Sequence, residues 1–291
     1  SVKSAPIKYH RATSVEEAVQ LLSEYEPGEA RVLAGGQNLV AMLNMRLWRL
    51  TALIDVNAIP GLSVIERRGD DIVFGALTRH AMVEHSELVA KRLPLLSTMI
   101  RHVADRQVRN RGTLGGSLVH GDPSAEMPLG CLVLNARLHV HGPNGSREIA
   151  MEDFYDGPYA AAIEPDEMLT RIEIPPAPRH HAFMEVVRRH GDFCVLSVAV
   201  VGDQKDDGTW QNVRIGLGGL SETPVLAHAL MEIAEGTTLS DEVIARTAAA
   251  VGSVIDPASD FRASAEYRAH LAPVYVERAL KALRTSAPVA H

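Results

Sequence analysis

Two glycine pairs are the residues of this sequence best suited to binding a phosphate-bearing ligand. The first lies in residues 34–39 (AGGQNL) and the second in residues 113–118 (TLGGSL). Glycine lets the backbone approach a ligand closely, and successive N–H groups can form an anion-binding concavity. The side chains of Asn38, Thr113 and Ser117 add hydrogen-bond donors. The pattern predicts that two loops hold the two phosphates of a dinucleotide, one from each side.

The same glycine pairs also fit two tight structural turns. In that alternative the chain is a non-catalytic nucleotide-binding or scaffold module. Neither pair has the G-x-G-x-x-G or G-K-[ST] spacing of the known nucleotide fingerprints. Gly216, Gly218 and Gly219, in a GLGGL segment, are predicted to permit close packing at a strand end. The sequence offers no nucleophile–base–orienter set and no metal-ligand spacing around His139 or the other histidines.

Composition excludes several other classes of function. The chain has 291 residues with 29 basic and 36 acidic side chains, a net charge of −7, which argues against general nucleic-acid binding. No apolar run reaches the ~18–20 residues of a membrane span, and no signal-peptide core precedes the first helix. We therefore expect a cytoplasmic protein. Cys131 and Cys194 are the only cysteines, too few for an iron–sulfur cluster.

Helices and strands that would position the glycine pairs follow from apolar periodicity and turn signals. Ser14 and Glu17 form a predicted capping box at the first helix. The predicted helices cover residues 15–25, 39–47, 81–91, 93–103, 124–134, 225–234, 241–251 and 265–283. The predicted strands are 31–33, 52–56, two in 62–76, 137–141, 147–150, 168–174, 182–188, 195–201 and 213–218. Residues 105–122 are predicted to be a polar, glycine-rich loop, too long to lack a function.

Several motifs, taken together, resemble those of a known family. Residues 34–39, 107–118 (QVRNRGTLGGSL) and 122–128 (DPSAEMP) have the order and spacing found in the FAD-binding medium subunit of molybdenum hydroxylases. This family includes carbon monoxide dehydrogenase, quinoline oxidoreductase and xanthine dehydrogenase. Residues 168–175 (MLTRIEIP) and 188–193 (RRHGDF) match as well, so the resemblance covers essentially the whole chain.

The resemblance implies an α+β fold with a two-subdomain FAD-binding unit of the vanillyl-alcohol-oxidase type, followed by a small α+β domain. The FAD-binding unit would span residues 1–177, with subdomains of about 1–57 and 58–177. Residues 178–291 would form the C-terminal domain, with a three-stranded sheet and helices. The proline cluster at 175–178 is the predicted linker, since proline continues neither a helix nor a central strand.

The resemblance also implies a set of cofactor-binding residues. Residues 34–39 and 113–117 would hold the pyrophosphate, Glu126 the ribityl–adenosine part, and Phe193 would pack on the isoalloxazine ring. Some members carry a lysine close to the flavin, where this sequence has Met184-Glu185. The predicted set is Leu33, Ala34, Gly35, Gly36, Gln37, Asn38, Leu39, Val103, Thr113, Gly115, Gly116, Ser117, His120, Glu126, Leu169 and Phe193. No catalytic residue and no metal ligand are predicted.

As a member of this family, the chain would be the FAD-binding electron-transfer subunit of an oxidoreductase. Electrons from [2Fe–2S] clusters in a small subunit would pass to FAD and then to an external acceptor such as NAD, a quinone or O2. A large subunit would carry the molybdopterin cofactor, in a heterohexamer with two copies of each subunit. The alternative is a self-sufficient FAD-dependent oxidoreductase of the same fold, with His190 and Tyr155 as its candidate acid or base.

Overall fold

The computed structural model describes residues 6–35 and 50–290, in which helices and strands are interspersed along the chain. The strands are β1 (Lys8–Arg11), β2 (Ala30–Leu33), β3 (Ala52–Asp55), β4 (Ile65–Arg68), β5 (Asp71–Gly75), β6 (Arg137–Gly142), β7 (Gly145–Ala150), β8 (Tyr155–Gly157), β9 (Ala160–Ala161), β10 (Met168–Ile174), β11 (His180–Val186), β12 (Leu196–Gln204), β13 (Trp210–Gly218) and β14 (Val225–Leu226). The helices are α1 (Val15–Ser23), α2 (His80–His85), α3 (Glu87–Arg92), α4 (Pro94–Ile100), α5 (Arg106–Arg111), α6 (Leu114–His120), α7 (Glu126–Val133), α8 (His228–Ala234), α9 (Asp241–Ala249) and α10 (Ala265–Thr285). Within the described ranges, no helix is long and apolar enough to cross a membrane.

The N-terminal unit is a parallel three-stranded sheet in the order β1-β3-β2, with α1 packed on it. Helix α1 begins after Ser14, whose hydroxyl accepts a hydrogen bond from the N–H of Glu17 at 3.1 Å. The Glu17 carboxylate accepts in turn from Thr13, one residue before the position that a capping box requires. The predicted start of the helix is therefore correct, but the Glu17 carboxylate accepts from Thr13 and not from the N–H of Ser14.

The second unit is an antiparallel five-stranded sheet in the order β4-β5-β10-β6-β7. Helices α2–α4, α6 and α7 contribute, with this sheet, to the largest apolar cluster of the described residues. Both predicted hairpins are present, as β4–β5 and β6–β7. Helix α7 is the most enclosed element, because all eight of its residues are buried. A helix that is apolar on nearly all sides belongs in a core.

The C-terminal unit has a four-stranded antiparallel sheet in the order β11-β12-β13-β14, whereas three strands were expected. The additional strand is β14, whose two residues pair with Gly216 and Leu217 of β13. Residues 225 and 226 therefore do not belong to the predicted helix, which begins at His228. A two-residue strand has no periodicity of its own and is defined only by its pairing with β13.

The segment 105–122 is not a loop, because it folds into the two short helices α5 and α6. The Asp105 carboxylate accepts from the N–H of Val108 at 2.9 Å, and the Thr113 hydroxyl accepts from the N–H of Gly116 at 3.0 Å. Each side chain is thus an N-cap. In α6, the low helix propensity of the two glycines concealed this signal. The second glycine pair consequently lies in the first turn of a helix.

Helix α7 connects the second unit to the C-terminal sheet. Arg214 on β13 donates to the carbonyl oxygens of Val133 and Leu132, at 2.7 and 3.0 Å, in the last turn of α7. On the same strand, a Cβ on Gly216 would collide with Val133 and lie 2.9 Å from Leu129. The close approach of β13 and α7 therefore requires glycine here, which confirms the packing role predicted for it.

We expect Gly216→Ala to lower the free energy of unfolding by about 1–3 kcal/mol, because an added methyl group overpacks the contact between β13 and α7. The matched control is Gly252→Ala, since a Cβ at Gly252 meets no atom within 4 Å. The control should change stability by no more than about 0.5 kcal/mol. Urea denaturation of both variants makes the comparison, and equal losses would contradict the packing argument.

Candidate functional site

A cavity of about 560 Å³ lies where the three units meet. Residues from β2, from helices α6 and α7, from β10 and from the loop at residues 191–193 contribute to its wall. The wall is mainly apolar and carries a small number of polar groups, as is typical of small-molecule and cofactor sites. Its volume falls within the range of such sites, about 300–1,000 Å³.

The structure brings together most of the described residues that the sequence singled out for cofactor binding. Those that line the cavity are Ala34, Gly35, Val103, Thr113, Gly115, Gly116, Ser117, His120, Glu126, Leu169 and Phe193. Leu33 is half-buried on β2 and does not line the cavity. Gly36, Gln37, Asn38 and Leu39 lie outside the described residues.

The two glycine segments meet at the cavity wall. A Cβ on Gly35 would collide with the carbonyl oxygen of Arg111, so only glycine allows this approach. The guanidinium group of Arg79 donates to the carbonyl oxygen of Arg111 and to the side-chain oxygen of Asn57, both at 2.8 Å. Asn57 in turn donates to the carbonyl oxygen of Ala34 at 2.9 Å. Arg79 and Asn57 thus hold the first glycine segment against the second.

The N–H groups of the second glycine pair do not form the open concavity that the sequence suggested. The N–H of Gly115 donates to the carbonyl oxygen of Ala76 at 2.9 Å, and that of Gly116 donates to the Thr113 hydroxyl. A Cβ on Gly115 would lie 2.5 Å from the Ala76 oxygen, and one on Gly116 2.7 Å from the Thr113 hydroxyl. These glycines allow tight packing of α6 and expose bare backbone to the cavity.

His80 lines the same wall, although the sequence gave no signal for it. Its Nε2 lies 2.9 Å from the Ser117 hydroxyl, and its side chain is almost fully buried. Burial, together with the positive charges of Arg109 and Arg79, lowers the pKa of His80 to about 4. The imidazole is therefore neutral at physiological pH and orients Ser117 through a single hydrogen bond.

Arg109 stabilises the backbone beside the cavity and is not part of its wall. Its guanidinium group donates to the carbonyl oxygens of Val103 and Ala104, at 2.9 and 3.0 Å. It also pairs with the Glu84 carboxylate at 3.3 Å. Through these bonds the arginine fixes the position of Val103, a predicted cofactor contact.

Glu126 lies at the start of α7, where its carboxyl group reaches the cavity wall although the residue is buried. Burial raises the pKa of this carboxyl group well above its usual value, and the nearby carboxylates of Glu185 and Asp122 raise it further. A protonated carboxylic acid donates a hydrogen bond and carries no charge. In its protonated form, which the raised pKa favours, Glu126 can donate to a hydroxyl or carbonyl group of a ligand without repelling its phosphates.

Phe193 stands at the mouth of the cavity with 48% of its surface exposed. This exposure shows that Phe193 does not belong to the hydrophobic core, where phenylalanine is most often found. The guanidinium carbon of Arg262 lies 4.8 Å from the centre of its ring and 5.0 Å from that of Phe261. Phe261 is 83% exposed and does not line the cavity. The phenyl ring of Phe193 is thus available to pack on a flat ligand.

A separate cluster, at β6, β7 and β10, has the spacing of a metal site. His139 Nε2 lies 3.6 Å from the carboxylate of Glu148 and 3.8 Å from that of Glu173. Arg137 pairs with Glu173 at 2.6 Å, and Arg171 approaches the other ring nitrogen of His139 at 3.3 Å. Two guanidinium charges beside the cluster oppose a cation, so we interpret it as an ion-pair network. The pairing of β6, β7 and β10 brings these side chains together, so their spacing along the sequence does not reveal the cluster.

Comparison with known families shows the family of the chain. The model for the FAD binding domain in molybdopterin dehydrogenase matches residues 5–177, which is more than half of the chain. The chain belongs to the FAD-binding medium subunits of the molybdenum hydroxylases. The model for the CO dehydrogenase flavoprotein C-terminal domain matches residues 181–283. The resemblance inferred from the glycine-rich and DPSAEMP motifs is thereby confirmed.

Individual medium subunits are similar to the chain over nearly its full length. The nicotine 6-hydroxylase medium subunit of Paenarthrobacter nicotinovorans is 37% identical over 279 residues, which cover 96% of this chain and 98% of that one. Reconstituted CO dehydrogenase from Oligotropha carboxidovorans matches with a TM-score of 0.94 and 34% identity, covering 98% and 100%. Quinoline 2-oxidoreductase from Pseudomonas putida 86 matches with a TM-score of 0.91 and 31% identity, covering 97% and 98%. The predicted α+β fold class and the oxidoreductase assignment of this medium subunit are confirmed.

We expect Glu126→Gln to stabilise the FAD-free medium subunit at neutral pH. The pKa of Glu126 is higher in the folded than in the unfolded chain. Above about pH 4.5, the folded state therefore holds more protons than the unfolded state, and the free energy of unfolding falls as pH rises. Glutamine removes this penalty. Urea denaturation should give the variant a larger free energy of unfolding than the wild type at about pH 7.5, and a smaller difference at about pH 4. A difference that is independent of pH would show that Glu126 is already ionised in the fold.

Proposed function

We propose that this chain binds FAD in the cavity and acts as the electron-transfer subunit of a molybdenum hydroxylase complex. The observation that carries the proposal is the convergence of the two glycine segments, Glu126 and Phe193 on one cavity. FAD supplies the chemistry of the site, since it accepts electrons and passes them on. The protein residues bind and orient the cofactor and control access of water.

The residues present fit this cofactor. The glycine segments around Gly35 and Gly115 expose backbone without side chains, which suits close contact with a pyrophosphate. In its protonated form, Glu126 would donate a hydrogen bond to the ribityl–adenosine part. Leu169 and Val103 supply apolar wall, and Phe193 would cover the isoalloxazine ring. We assign the FAD-binding part of the chain to residues 1–177, and the C-terminal domain to residues 178–291.

Electrons must reach the chain from a partner. Both cysteines, Cys131 and Cys194, are unpaired and buried. Burial raises the pKa of the Cys131 thiol to about 12, so this group does not supply a thiolate ligand. We therefore place the [2Fe–2S] clusters in a small subunit and the molybdopterin cofactor in a large subunit, in a heterohexamer with two copies of each. We propose that the external electron acceptor is NAD, a quinone or O2. We also propose that the complex is cytoplasmic.

A self-sufficient flavoenzyme of the same fold has less support. It requires an acid or base beside the flavin, for which Tyr155 and His190 were the candidates. The Tyr155 hydroxyl already donates to the carbonyl oxygen of Leu118 at 2.6 Å, and burial raises the pKa of Tyr155. His190 is exposed, and neither residue lines the cavity. The cavity disfavours a role as a scaffold alone, because a scaffold needs no site of this volume for a ligand.

Purification from the native host tests the complex directly. We expect a yellow chain that releases FAD on acid treatment and co-purifies with two subunits containing iron and molybdenum. Substrate oxidation should require all three subunits. Substrate turnover by the isolated chain with FAD would contradict the relay role. A colourless chain that takes up no added FAD would support the scaffold alternative.

We expect Phe193→Ala to weaken FAD binding about 2- to 13-fold, because the contact of an aromatic ring with the flavin is worth ~0.5–1.5 kcal/mol. The matched control is Phe261→Ala. Its ring is also packed on Arg262 and exposed, but it lies outside the cavity wall. Fluorescence titration of the apoprotein with FAD measures both dissociation constants. Equal changes in the two variants would contradict a flavin contact for Phe193.

A further inference from the structure

His80 and Ser117 form a hydrogen-bonded pair on the cavity wall. His80 is the first residue of α2, and Ser117 lies in the middle of α6, 37 positions further along the chain. Nε2 of His80 lies 2.9 Å from Oγ of Ser117, and both residues line the cavity. His80 is 2% exposed, whereas Ser117 is half-buried. The buried imidazole therefore holds a hydroxyl group that belongs to the cavity wall.

The neighbouring backbone fixes the imidazole in this position. The N–H of His80 donates to the carbonyl oxygen of Gly112 at 2.9 Å. A Cβ on Gly112 would lie 2.8 Å from Cδ2 of His80, so the ring packs tightly against the backbone between α5 and α6. Burial, together with the charges of Arg109 and Arg79, lowers the pKa of the ring to about 4. At physiological pH the ring thus carries one proton on its two nitrogens.

The surroundings of the two ring nitrogens determine which of them carries this proton. A neutral imidazole has one N–H donor and one acceptor nitrogen. Nδ1 of His80 is buried and has no hydrogen-bond partner among the described residues. Buried N–H groups without an acceptor are rarer in proteins than acceptors whose capacity is unfilled. The proton therefore belongs on Nε2, where the oxygen of Ser117 accepts it at 2.9 Å.

The direction of this hydrogen bond determines what Ser117 offers to a ligand. A hydroxyl group has one hydrogen to donate and two lone pairs that accept. When its oxygen accepts from Nε2–H, its own hydrogen remains for another acceptor, and the bond to His80 is the only one of this hydroxyl among the described contacts. The opposite tautomer would take that hydrogen and leave only lone pairs at the cavity, which repel a phosphate oxygen.

We propose that His80 is a positioning residue that makes Ser117 a hydrogen-bond donor to a phosphate group of the cofactor. This inference rests on the proposed binding of FAD, in which the glycine segments contact the pyrophosphate. The ionised phosphates of FAD offer acceptors alone, so a hydroxyl that must donate matches them. His80 acts through Ser117, and its neutral ring sets the direction of the hydrogen bond without a change of charge at the wall.

The position of the proton is tested by ¹⁵N NMR of the FAD-free wild-type chain, labelled in its histidines, at about pH 7. We expect His80 to show a protonated Nε2 and an unprotonated Nδ1. Its signals are identified by their loss from His80→Gln. A protonated Nδ1 would overturn the proposal, and this measurement depends neither on the cofactor nor on the cofactor affinity of a variant.

Fluorescence titration with FAD tests whether His80 acts through Ser117. His80→Phe keeps a ring but removes the donor, and should weaken binding about 2- to 13-fold, the range of one net hydrogen bond. Ser117→Ala removes a hydrogen bond to a charged phosphate and should weaken binding at least about 10-fold. The double variant should bind as Ser117→Ala does, within about twofold. Losses that multiply in the double variant would overturn the proposal.

His80→Gln is the conservative variant, because its amide N–H can take the place of Nε2–H and donate to Ser117. It should bind FAD within about twofold of the wild type. The matched control is His181→Phe. His181 is half-buried and its Nδ1 also has no hydrogen-bond partner among the described residues, but it lies outside the cavity wall. The control should leave the FAD affinity unchanged, and a glutamine variant as weak as His80→Phe would count against the proposal.

Phosphorus NMR of bound FAD distinguishes this role from a general effect on the fold. In His80→Phe and in Ser117→Ala, the ³¹P resonances of the bound cofactor should shift, whereas the flavin absorption bands should stay unchanged. Circular dichroism verifies that both variants are folded. Weaker binding with unchanged ³¹P resonances would overturn the proposal, because the loss would then arise away from the phosphates.

The outcomes separate this inference from the proposed function. A wild-type chain that binds FAD but carries the His80 proton on Nδ1 overturns the inference and leaves the proposed function intact. Independent effects of His80→Phe and Ser117→Ala on FAD binding have the same consequence. A wild-type chain that takes up no FAD refutes the proposed function, and with it the inference, whatever the tautomer of His80.

Discussion

The burial of helix α7 is the constraint on which both the fold and the cavity depend. All eight of its residues are enclosed, so its terminal backbone groups and its one acidic side chain must be satisfied inside the protein. Arg214 supplies the donors for the carbonyl groups of Val133 and Leu132, which ties the C-terminal sheet to the second unit. At the other end, Glu126 reaches the cavity wall, so the element that joins the units also brings a polar group to the site.

The electrostatics of the cavity follow from the same enclosure. An exposed glutamate is charged throughout the physiological pH range, and an exposed histidine is charged over part of it. Burial lowers the pKa of the imidazole to about 4, so His80 is neutral at the cavity wall, and it raises the pKa of the Glu126 carboxyl group, which favours the uncharged form of that group. Neutral hydrogen-bonding groups orient a ligand that carries its own phosphate charge without adding to it. The bonds from Arg79 and Asn57 meanwhile hold the glycine segments together.

The elements that the sequence predicted well are those with strong local signals. The cap at Ser14, the hairpins of the second sheet and helix α10 are all present, because each depends on residues near one another in the chain. Residues 105–122 were wrongly predicted as a loop, since the glycines of the segment and the shortness of both helices concealed the N-caps at Asp105 and Thr113. Strand β14 was missed, because its two residues are a strand only through their pairing with β13.

The sequence by itself determined the family, the order of the motifs and the glycines that a cofactor cavity requires, because each depends on residue type and spacing along the chain. Only the tertiary structure decided which groups lie on the same cavity wall and how the pKa of each is shifted. His80 beside Ser117 and Gly35 against Arg111 are contacts between residues distant in the chain. The physical reason is that burial and neighbouring charge set the pKa of a side chain, and both are properties of the folded chain alone.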